Sequence, residues 1–199
     1  AMKNIVFDVG NVLLKWDPIN IIKQAFPECS TPQDYVTALK ETIIALDAGE
    51  INFASAKKQL QILLNTSNEK IANLFTIFLT SLTPLPNSLK LLTELSTNPK
   101  YSLYCLTNMS TECFAYLQQK YDFWNKFKGI VVSAAIKLAK PDPQIYLYLL
   151  NKFNLIAEET IFIDDLLDNI ITARNLGMYG IHFTDFVTCK NELAKLNII

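Results

Sequence analysis

The chain has 199 residues, half of them hydrophobic, and a formal net charge of -1. This length suffices for one domain, or for a core domain with a modest insertion. Lysine and arginine are dispersed and nearly balanced by aspartate and glutamate, which excludes the basic patch of a nucleic-acid-binding protein. The longest apolar-rich stretch, residues 71–79, is shorter than the ~20 residues of a transmembrane helix, so we expect no membrane association.

The first predicted strand lies close to the start of the sequence. Met2, Lys3 and Asn4 lead directly into it without a signal-peptide pattern, and we therefore expect a cytoplasmic protein. The four cysteines have no metal-type spacing and fall in predicted helices and strands, which favours buried free thiols over disulfides. They are Cys29, Cys105, Cys113 and Cys189.

Residues 4–14 contain the first predicted strand and the first candidate site residue. Ile5–Phe7 is an apolar run without a polar face, typical of a strand buried on both sides in a parallel sheet. Asp8 ends this run, and Gly10 and Asn11 follow, residue types that let the main chain approach a ligand closely. An aspartate in this place is most often a turn former or a helix cap, so the later stretches decide its role.

Between the first strand and Pro84, the sequence shows only helical periodicity. Apolar residues recur at helical spacing in about four segments, with no strand pattern between them. These segments are residues 19–26, 35–46, 53–64 and 71–82. We therefore expect an all-helical insertion after the first strand.

From Pro84 onward, apolar strands alternate with amphipathic helices, the order that indicates βαβ units and a parallel sheet. Strands are predicted at residues 101–106, 130–132, 160–163 and 179–183. The predicted fold class is therefore α/β. It has a Rossmann-like parallel sheet core with helices on both faces, formed by residues 1–15 and 84–199, and an inserted all-helical cap formed by residues 16–83.

Polar side chains follow the predicted strands at or just beyond their carboxyl ends. Because the crossover connections of such sheets are right-handed, these ends share one edge and can converge. Taken singly, each group has an ordinary explanation as a helix cap, a turn residue or a solvated lysine. Their joint placement instead predicts a functional site, formed by Asp8, Thr107, Asn108, Lys140, Asp164 and Asp165.

Three carboxylates in one small volume predict a metal site. Asp8, Asp164 and Asp165 would raise one another's pKa values unless cations are present. Mg²⁺ prefers oxygen ligands and is commonly held by one or two carboxylates together with substrate phosphate. Lys140 adds a positive charge, and the Thr-Asn pair after the second strand, with the N–H groups after Asp8, can bind phosphate. Asp8 can then act as a nucleophile and form an aspartyl-phosphate, which water hydrolyses.

In its motifs, the sequence resembles the haloacid dehalogenase-like hydrolase superfamily, in particular its phosphatases with a helical cap of the C1 type after the first strand. The resemblance covers nearly the whole chain and four motifs in the right order. They are Phe-Asp8-Val-Gly10-Asn-Val, Leu-Thr107-Asn108, Lys140-Pro-Asp-Pro and Ile-Asp164-Asp165-Leu-Leu-Asp168-Asn169.

The resemblance implies a role for each motif. Asp8 is expected to be the nucleophile, Thr107 to bind a phosphoryl oxygen, and Lys140 to pair with nucleophile and phosphate. The residues expected at Mg²⁺ are Asp8, Gly10 through its backbone carbonyl, Asp165, Asp164 as its support, and Asn169 through a metal-bound water. The residues expected at the substrate are Asn108, Gly10, Asn11 and, from the cap loop, Asp47 and Glu50.

The first motif departs from the usual pattern. Most phosphatases of the family carry a second aspartate two residues after the nucleophile, which protonates the leaving oxygen, but this chain has Gly10. Proton donation by a general acid of this kind typically raises the rate ~10²–10⁴-fold. Some bacterial members that look like sugar-phosphate phosphatases share this Asp-x-Gly-Asn start. Turnover would then need a good leaving group or an acid from elsewhere, for which Asp47, Glu50 and Asp17 are candidates.

The expected function is a Mg²⁺-dependent phosphatase that hydrolyses a small phosphorylated metabolite, for example a sugar phosphate, as a monomer or homodimer. One alternative is a 2-haloacid dehalogenase in which Asp8 attacks carbon without a metal, although the paired acids Asp164 and Asp165 argue against it. The other is a weakly active or inactive ligand-binding member that lost turnover with Gly10. His182, the only histidine, is expected to be structural or peripheral.

Overall fold

A computed structural model describes all 199 residues of the chain. Five parallel strands form one sheet in the order β3-β2-β1-β4-β5. They are β1 Asn4–Phe7, β2 Ser102–Thr107, β3 Gly129–Val132, β4 Thr160–Asp164 and β5 Tyr179–His182. The strand order reverses at the central β1, the position at which open α/β sheets bind ligands. The predicted α/β class and parallel sheet are thereby confirmed.

Ten α-helices accompany the sheet, and the first four form the predicted insertion between β1 and β2. They are α1 Pro18–Ala25, α2 Pro32–Asp47, α3 Phe53–Leu63, α4 Asn68–Ser81, α5 Pro86–Ser96, α6 Thr111–Lys120, α7 Ser133–Ile136, α8 Pro143–Lys152, α9 Leu167–Asn175 and α10 Phe186–Lys195. Helices α7 and α10 are not among the elements predicted from the sequence. The spacing of the buried Cys189 and Leu193 in α10 is helical, so its signal is present in the sequence.

Alternate residues of each strand serve two separate apolar layers. In β1, Ile5 and Phe7 join the larger layer, which is covered by α5, α6 and α10. Val6 points to the opposite face and joins the smaller layer under α8 and α9. This alternation places helices on both faces, as predicted, because successive side chains of a strand point in opposite directions.

The inserted helices have an apolar core of their own. Ile22, Leu60 and Phe75, from α1, α3 and α4, are buried together there. Three of the four helices begin at a polar side chain that accepts a backbone N–H, which satisfies donors that a helix start leaves free. These cap residues are Asp17, Asn52 and Ser67.

The cysteines and the helix lengths agree with the sequence prediction. All four thiols are free, and three of them are buried, namely Cys105, Cys113 and Cys189. None of the helices combines the length and the apolarity of a transmembrane span. Helix α8 begins as predicted, since Asp142 accepts the N–H of Gln144 and a proline follows it.

Candidate active site

The register of the sheet places two aspartates side by side at its carboxyl edge. Phe7 pairs with Ile163 across β1 and β4, and the N–H of Asp8 donates to the carbonyl oxygen of Ile163 at 2.9 Å. The residues that follow this pair are Asp8 and Asp164. Thr107 ends β2 on the other side of β1, and it lines the same cavity as Asp8. The strand ends therefore converge, as the sequence predicts.

Lys140 joins the two aspartates. Its Nζ donates to Asp8 Oδ1 at 2.9 Å, to Asp164 Oδ2 at 2.8 Å and to the carbonyl oxygen of Leu106 at 2.8 Å. Burial opposes the charge of Lys140, but attraction by the two carboxylates outweighs it and raises the pKa of this amine above its ordinary value. Lys140 is therefore a permanently charged group that fixes the orientation of both carboxylates.

Asp8, Asp164 and Asp165 bring carboxylate oxygens to within 4.8 Å of one another. Burial raises the pKa of Asp8 well above its usual range; Lys140 opposes this shift, and Asp164 and Asp165 add to it. Burial likewise raises the pKa of Asp165. One lysine thus leaves an excess of negative charge on hard oxygen ligands, an arrangement that fits a divalent cation such as Mg²⁺.

The three acids differ in whether their oxygens are bound by other protein groups or face the cavity. Asp164 is fully buried, and its two oxygens already accept from Lys140, the backbone N–H of Leu166 and the side-chain amide of Asn169. Asp164 and Asn169 therefore act as positioning groups for Lys140 and for each other. Asp8 and Asp165 are the carboxylates of the set that line the cavity.

Asn108 holds the Lys140 loop in place. Its side-chain amide donates to the carbonyl oxygen of Lys140 at 2.9 Å, and its side-chain oxygen accepts the N–H of the same residue at 2.9 Å. The sequence predicts Asn108 as a substrate ligand. In the structure, both ends of its amide are engaged with the protein, so the side chain positions the backbone of Lys140.

A cavity of about 320 Å³ opens above these groups, between the sheet edge and the inserted helices. Its floor contains Asp8, Gly10, Thr107, Lys140 and Asp165. Its remaining wall is mainly apolar, because 19 of the 30 lining residues are hydrophobic. Most of those apolar side chains come from the cap, among them Ile22, Leu39, Leu46, Leu60, Phe75 and Phe78.

The structure separates the polar cap and turn candidates. Asp47 lines the cavity, whereas Glu50 lies in a neighbouring polar groove with Glu112. Asp17 caps α1 and lies in a third depression, away from Asp8. Asn11 has a φ of 59° and accepts the N–H of Trp16, so its side chain closes the turn after β1. Of these four residues, only Asp47 lines the cavity that contains Asp8.

Two supporting residues are missing from the predicted site. Ser133 follows β3, is fully buried, and accepts the N–H of Met109 at 2.9 Å while its hydroxyl donates to the carbonyl oxygen of Asp47. His182 ends β5, and its Nε2 lies 2.9 Å from the carbonyl oxygen of Asp165. Both stand at carboxyl strand ends, the same signal that identifies Asp8. The expectation that His182 is structural fits its contact with a site loop.

Comparisons with known proteins agree with this geometry. A family model described as haloacid dehalogenase-like hydrolase matches residues 2–177. The sesquiterpene phosphatase astK of Aspergillus oryzae is 31% identical over 196 residues, which are 98% of this chain and 97% of that protein. The drimenol cyclase drtB of Aspergillus calidoustus is 28% identical over 202 residues, which are 98% of this chain and 36% of that protein.

Solved structures share the fold. A HAD family enzyme from Bacteroides thetaiotaomicron, in complex with magnesium and inorganic phosphate, has a TM-score of 0.74 at 23% identity and covers 92% of this chain and 94% of its own. The L-2-haloacid dehalogenase of Xanthobacter autotrophicus has a TM-score of 0.69 at 17% identity, over 100% of this chain and 85% of its own. The match to the family model and the 31% identity over nearly all of the chain carry the conclusion beyond the fold. This chain is a hydrolase and belongs to the haloacid dehalogenase-like hydrolase family.

Proposed function

We propose that this protein is a Mg²⁺-dependent phosphatase that hydrolyses the phosphate ester of a small apolar molecule through an aspartyl-phosphate on Asp8. The observation that carries the proposal is the position of Asp8. It lies at the floor of a largely apolar cavity, with the Lys140 ammonium group 2.9 Å from its Oδ1 and with Asp165 beside it. Nucleophile, positive charge and space for a substrate thus meet at one point.

Asp8, Asp165 and the backbone carbonyl of Gly10 are the groups that would hold Mg²⁺. When bound, the ion supplies positive charge that offsets the carboxylates and a phosphate dianion. Asp164 and Asn169 would hold the surrounding groups in place through their mutual hydrogen bonds at 3.1 and 3.2 Å. Hydrogen bonds that orient the ligands of a metal usually increase the affinity of the site for that metal.

The chain's own groups can perform the two displacements. An oxygen of Asp8 attacks phosphorus, and the bond from phosphorus to the leaving-group oxygen breaks; water then attacks phosphorus and releases Asp8 and inorganic phosphate. Lys140 orients the attacking carboxylate. The Thr107 hydroxyl can donate to a phosphoryl oxygen. The N–H groups of Val9 and Gly10 are engaged in none of the hydrogen bonds of the turn, so they can donate as well.

The cavity wall supports an apolar leaving group. A sugar bound there would leave hydroxyl groups among side chains such as Leu60 and Phe75, at a cost of several kcal/mol if unpaired (~2–7 kcal/mol each). An alkyl or terpenoid chain would instead gain ~25 cal/mol per Å² of buried apolar surface. The Aspergillus oryzae relative, a sesquiterpene phosphatase, belongs to the same chemical class of enzyme. We therefore favour an apolar phosphate ester over a sugar phosphate.

The cluster of three acids also favours phosphate chemistry over dehalogenation. A dehalogenase in which Asp8 attacks a substrate carbon would gain nothing from Asp165, whose charge raises the pKa of Asp8. The likeness to the Xanthobacter autotrophicus dehalogenase, at 17% identity, concerns the fold. A phosphatase that binds a divalent cation uses both carboxylates.

Release of inorganic phosphate from farnesyl monophosphate, decyl phosphate and glucose 6-phosphate tests the proposal. We expect turnover of the two apolar esters to exceed that of the sugar phosphate at equal concentration, and to stop when EDTA removes Mg²⁺. Asp8→Asn should abolish turnover while its melting curve stays cooperative. A protein that hydrolyses none of the three esters in excess Mg²⁺, or an active Asp8→Asn variant, contradicts the proposal.

A further inference from the structure

Gly10 leaves an open place beside the nucleophile. A Cβ added at Gly10 would meet only the Trp16 side chain, at 3.6 Å, which is an ordinary van der Waals contact. Neither the backbone conformation nor the packing therefore requires a glycine here. An alkyl phosphate has a poor leaving group, and its hydrolysis needs a proton donor. Because Gly10 cannot donate a proton, the donor has to be another residue of the cavity.

Five titratable side chains line the cavity, and four of them are unsuited to this role. Lys140 donates to three protein acceptors, and its pKa is raised by the adjacent carboxylates. Burial raises the pKa of the Cys113 thiol to about 12, far from the pKa of an acid that works at neutral pH. Asp8 is the nucleophile and Asp165 belongs to the metal site. The fifth side chain is Asp47.

We propose that Asp47, the last residue of cap helix α2, is the general acid of the reaction and takes the place of the carboxyl group that Gly10 lacks. This inference rests on the proposed phosphatase function. The Asp47 carboxyl proton passes to the leaving-group oxygen, directly or through one water, while the P–O bond breaks and the Asp8–phosphorus bond forms. The Asp47 carboxylate then accepts a proton from the water that attacks phosphorus, which restores both aspartates.

The end of α2 is fixed on the core. The Ser133 hydroxyl donates to the carbonyl oxygen of Asp47 and accepts the N–H of Met109, which ties α2 to the chain segments after β2 and β3. Two residues later, Gly49 has a φ of +72°, and a Cβ at this position would collide with the carbonyl oxygen of Ala134. This approach of the two backbones is possible only for glycine. Asp47 is thus held at the cavity by core contacts as well as by its own helix.

The surroundings of Asp47 suit a proton donor. Burial raises its pKa to about 7, against the attraction of Lys140, and no hydrogen bond to the carboxylate opposes the shift. The charged or titratable groups that act on it or respond to it are Lys140, from the loop before α8, and Cys113, from α6. A negative charge at a helix C-terminus is also unfavourable, and the last turn of α2 has no basic residue. Helix stability therefore does not explain this carboxyl group.

Single-turnover release of the leaving group from decyl phosphate and from p-nitrophenyl phosphate tests the role of Asp47. We expect Asp47→Asn to slow the release of decanol ~10²–10⁴-fold, the usual worth of acid catalysis. The release of p-nitrophenol should change little, because this leaving group needs no proton. The wild-type decanol rate should fall above about pH 7, and the variant should lose this dependence. Glu41→Gln, an exposed substitution on the same helix, is the matched control.

Two further variants keep the test independent of the folding of Asp47→Asn. Gly10→Asp combined with Asp47→Asn should restore decanol release, because it returns a carboxyl group to the open place beside Asp8. Gly10→Asp alone should raise decanol release less than tenfold, since an acid is already present. Equal slowing of both leaving groups in Asp47→Asn, or a large gain in Gly10→Asp alone, overturns the role of Asp47 while the phosphatase function stands. A wild-type protein that cleaves neither ester instead overturns the proposed function itself.

Discussion

The single residue Lys140 offsets the negative charge of two carboxylates in the site. Its side chain is 1% exposed, and the carboxylates of Asp8 and Asp164 that it binds are 10% and 0% exposed. A buried charge is tolerated only when its partners satisfy it, and the loss of one partner leaves the others uncompensated. We therefore expect the lysine to be required for the stability of the site as well as for the proposed chemistry.

We expect Lys140→Met to lower the free energy of unfolding by ~3–5 kcal/mol at neutral pH, the usual cost of breaking a buried ion pair. The deficit should shrink as the pH falls, because burial raises the pKa of Asp8 and its protonation removes part of the uncompensated charge. Urea unfolding at pH 5 and pH 7.5 measures both effects.

Lys3→Met is the matched control. It breaks a pair with Glu159 in which the lysine side chain is 67% exposed, and it should cost no more than about 1 kcal/mol. Equal losses for the two variants, or a Lys140→Met deficit that does not depend on pH, would contradict this account of the charge balance.

At the scale of elements, the decisive contact is the one between the end of α2 and the short helix α7. Gly49 lies against the carbonyl of Ala134 in this contact, while Ser133 binds the carbonyl of Asp47. A second link is the hydrogen bond from the N–H of Phe53 to Glu112 Oε1, at 2.6 Å, between the start of α3 and α6. These two links connect the cap to the core next to the carboxyl edge of the sheet, where the candidate site lies.

Gly49→Ala tests the importance of that seat. The left-handed backbone should cost ~1–2 kcal/mol in stability for any residue with a Cβ. The added atom should also push the end of α2 away from Ala134 and displace Asp47. We therefore expect the decyl phosphatase rate to fall by more than tenfold while p-nitrophenol release is affected less.

Gly177→Ala serves as its control. Gly177 also has a positive φ, +97°, but a Cβ there would meet the side chain of Glu158 at 3.0 Å, which can move aside. This variant should lose a similar amount of stability and keep its activity. Comparable activity losses in the two variants would show that strain alone, rather than the cap contact, is responsible.

The sequence predicts the five strands, eight of the ten helices and the sheet edge, for physical reasons. A buried parallel strand needs a continuous apolar run, and its polar terminus marks the ligand-binding edge, so Asp8, Thr107 and Asp164 are found directly. The pairing of Asn108 with the backbone of Lys140 depends on two loops that are 32 residues apart, and no local pattern encodes it. The separation of Asp47 from Glu50 and Asp17 depends in the same way on how the cap docks.

At the scale of the whole molecule, three apolar cores surround a site that is electrostatically strained. The two layers on the faces of the sheet and the separate core of the cap provide the stability. The acids of the site work against it, because burial and mutual repulsion raise the pKa values of Asp8 and Asp165. A carboxyl group whose pKa is raised by folding stabilises the protein at low pH and loses this contribution as the pH rises through its folded-state pKa.

Mg²⁺ should therefore stabilise the protein, and the more so at higher pH, where protons no longer compete for the carboxylates. At a hundredfold excess over the dissociation constant the gain is ~2.7 kcal/mol, which corresponds to a rise in Tm of roughly 5–10 °C for a chain of this size. Asp165→Asn should remove this rise.

Without metal, the same variant should be more stable than the wild type at pH 8 and similar to it at pH 4, since it relieves repulsion that exists only when Asp165 is ionised. Melting curves of both proteins at pH 4 and pH 8, with and without Mg²⁺, give the Tm under each of these conditions. An Asp165→Asn protein that still gains stability from Mg²⁺ would refute the assignment of Asp165 to the metal. A variant that is less stable than the wild type at pH 8 without Mg²⁺ would refute the repulsion between the carboxylates.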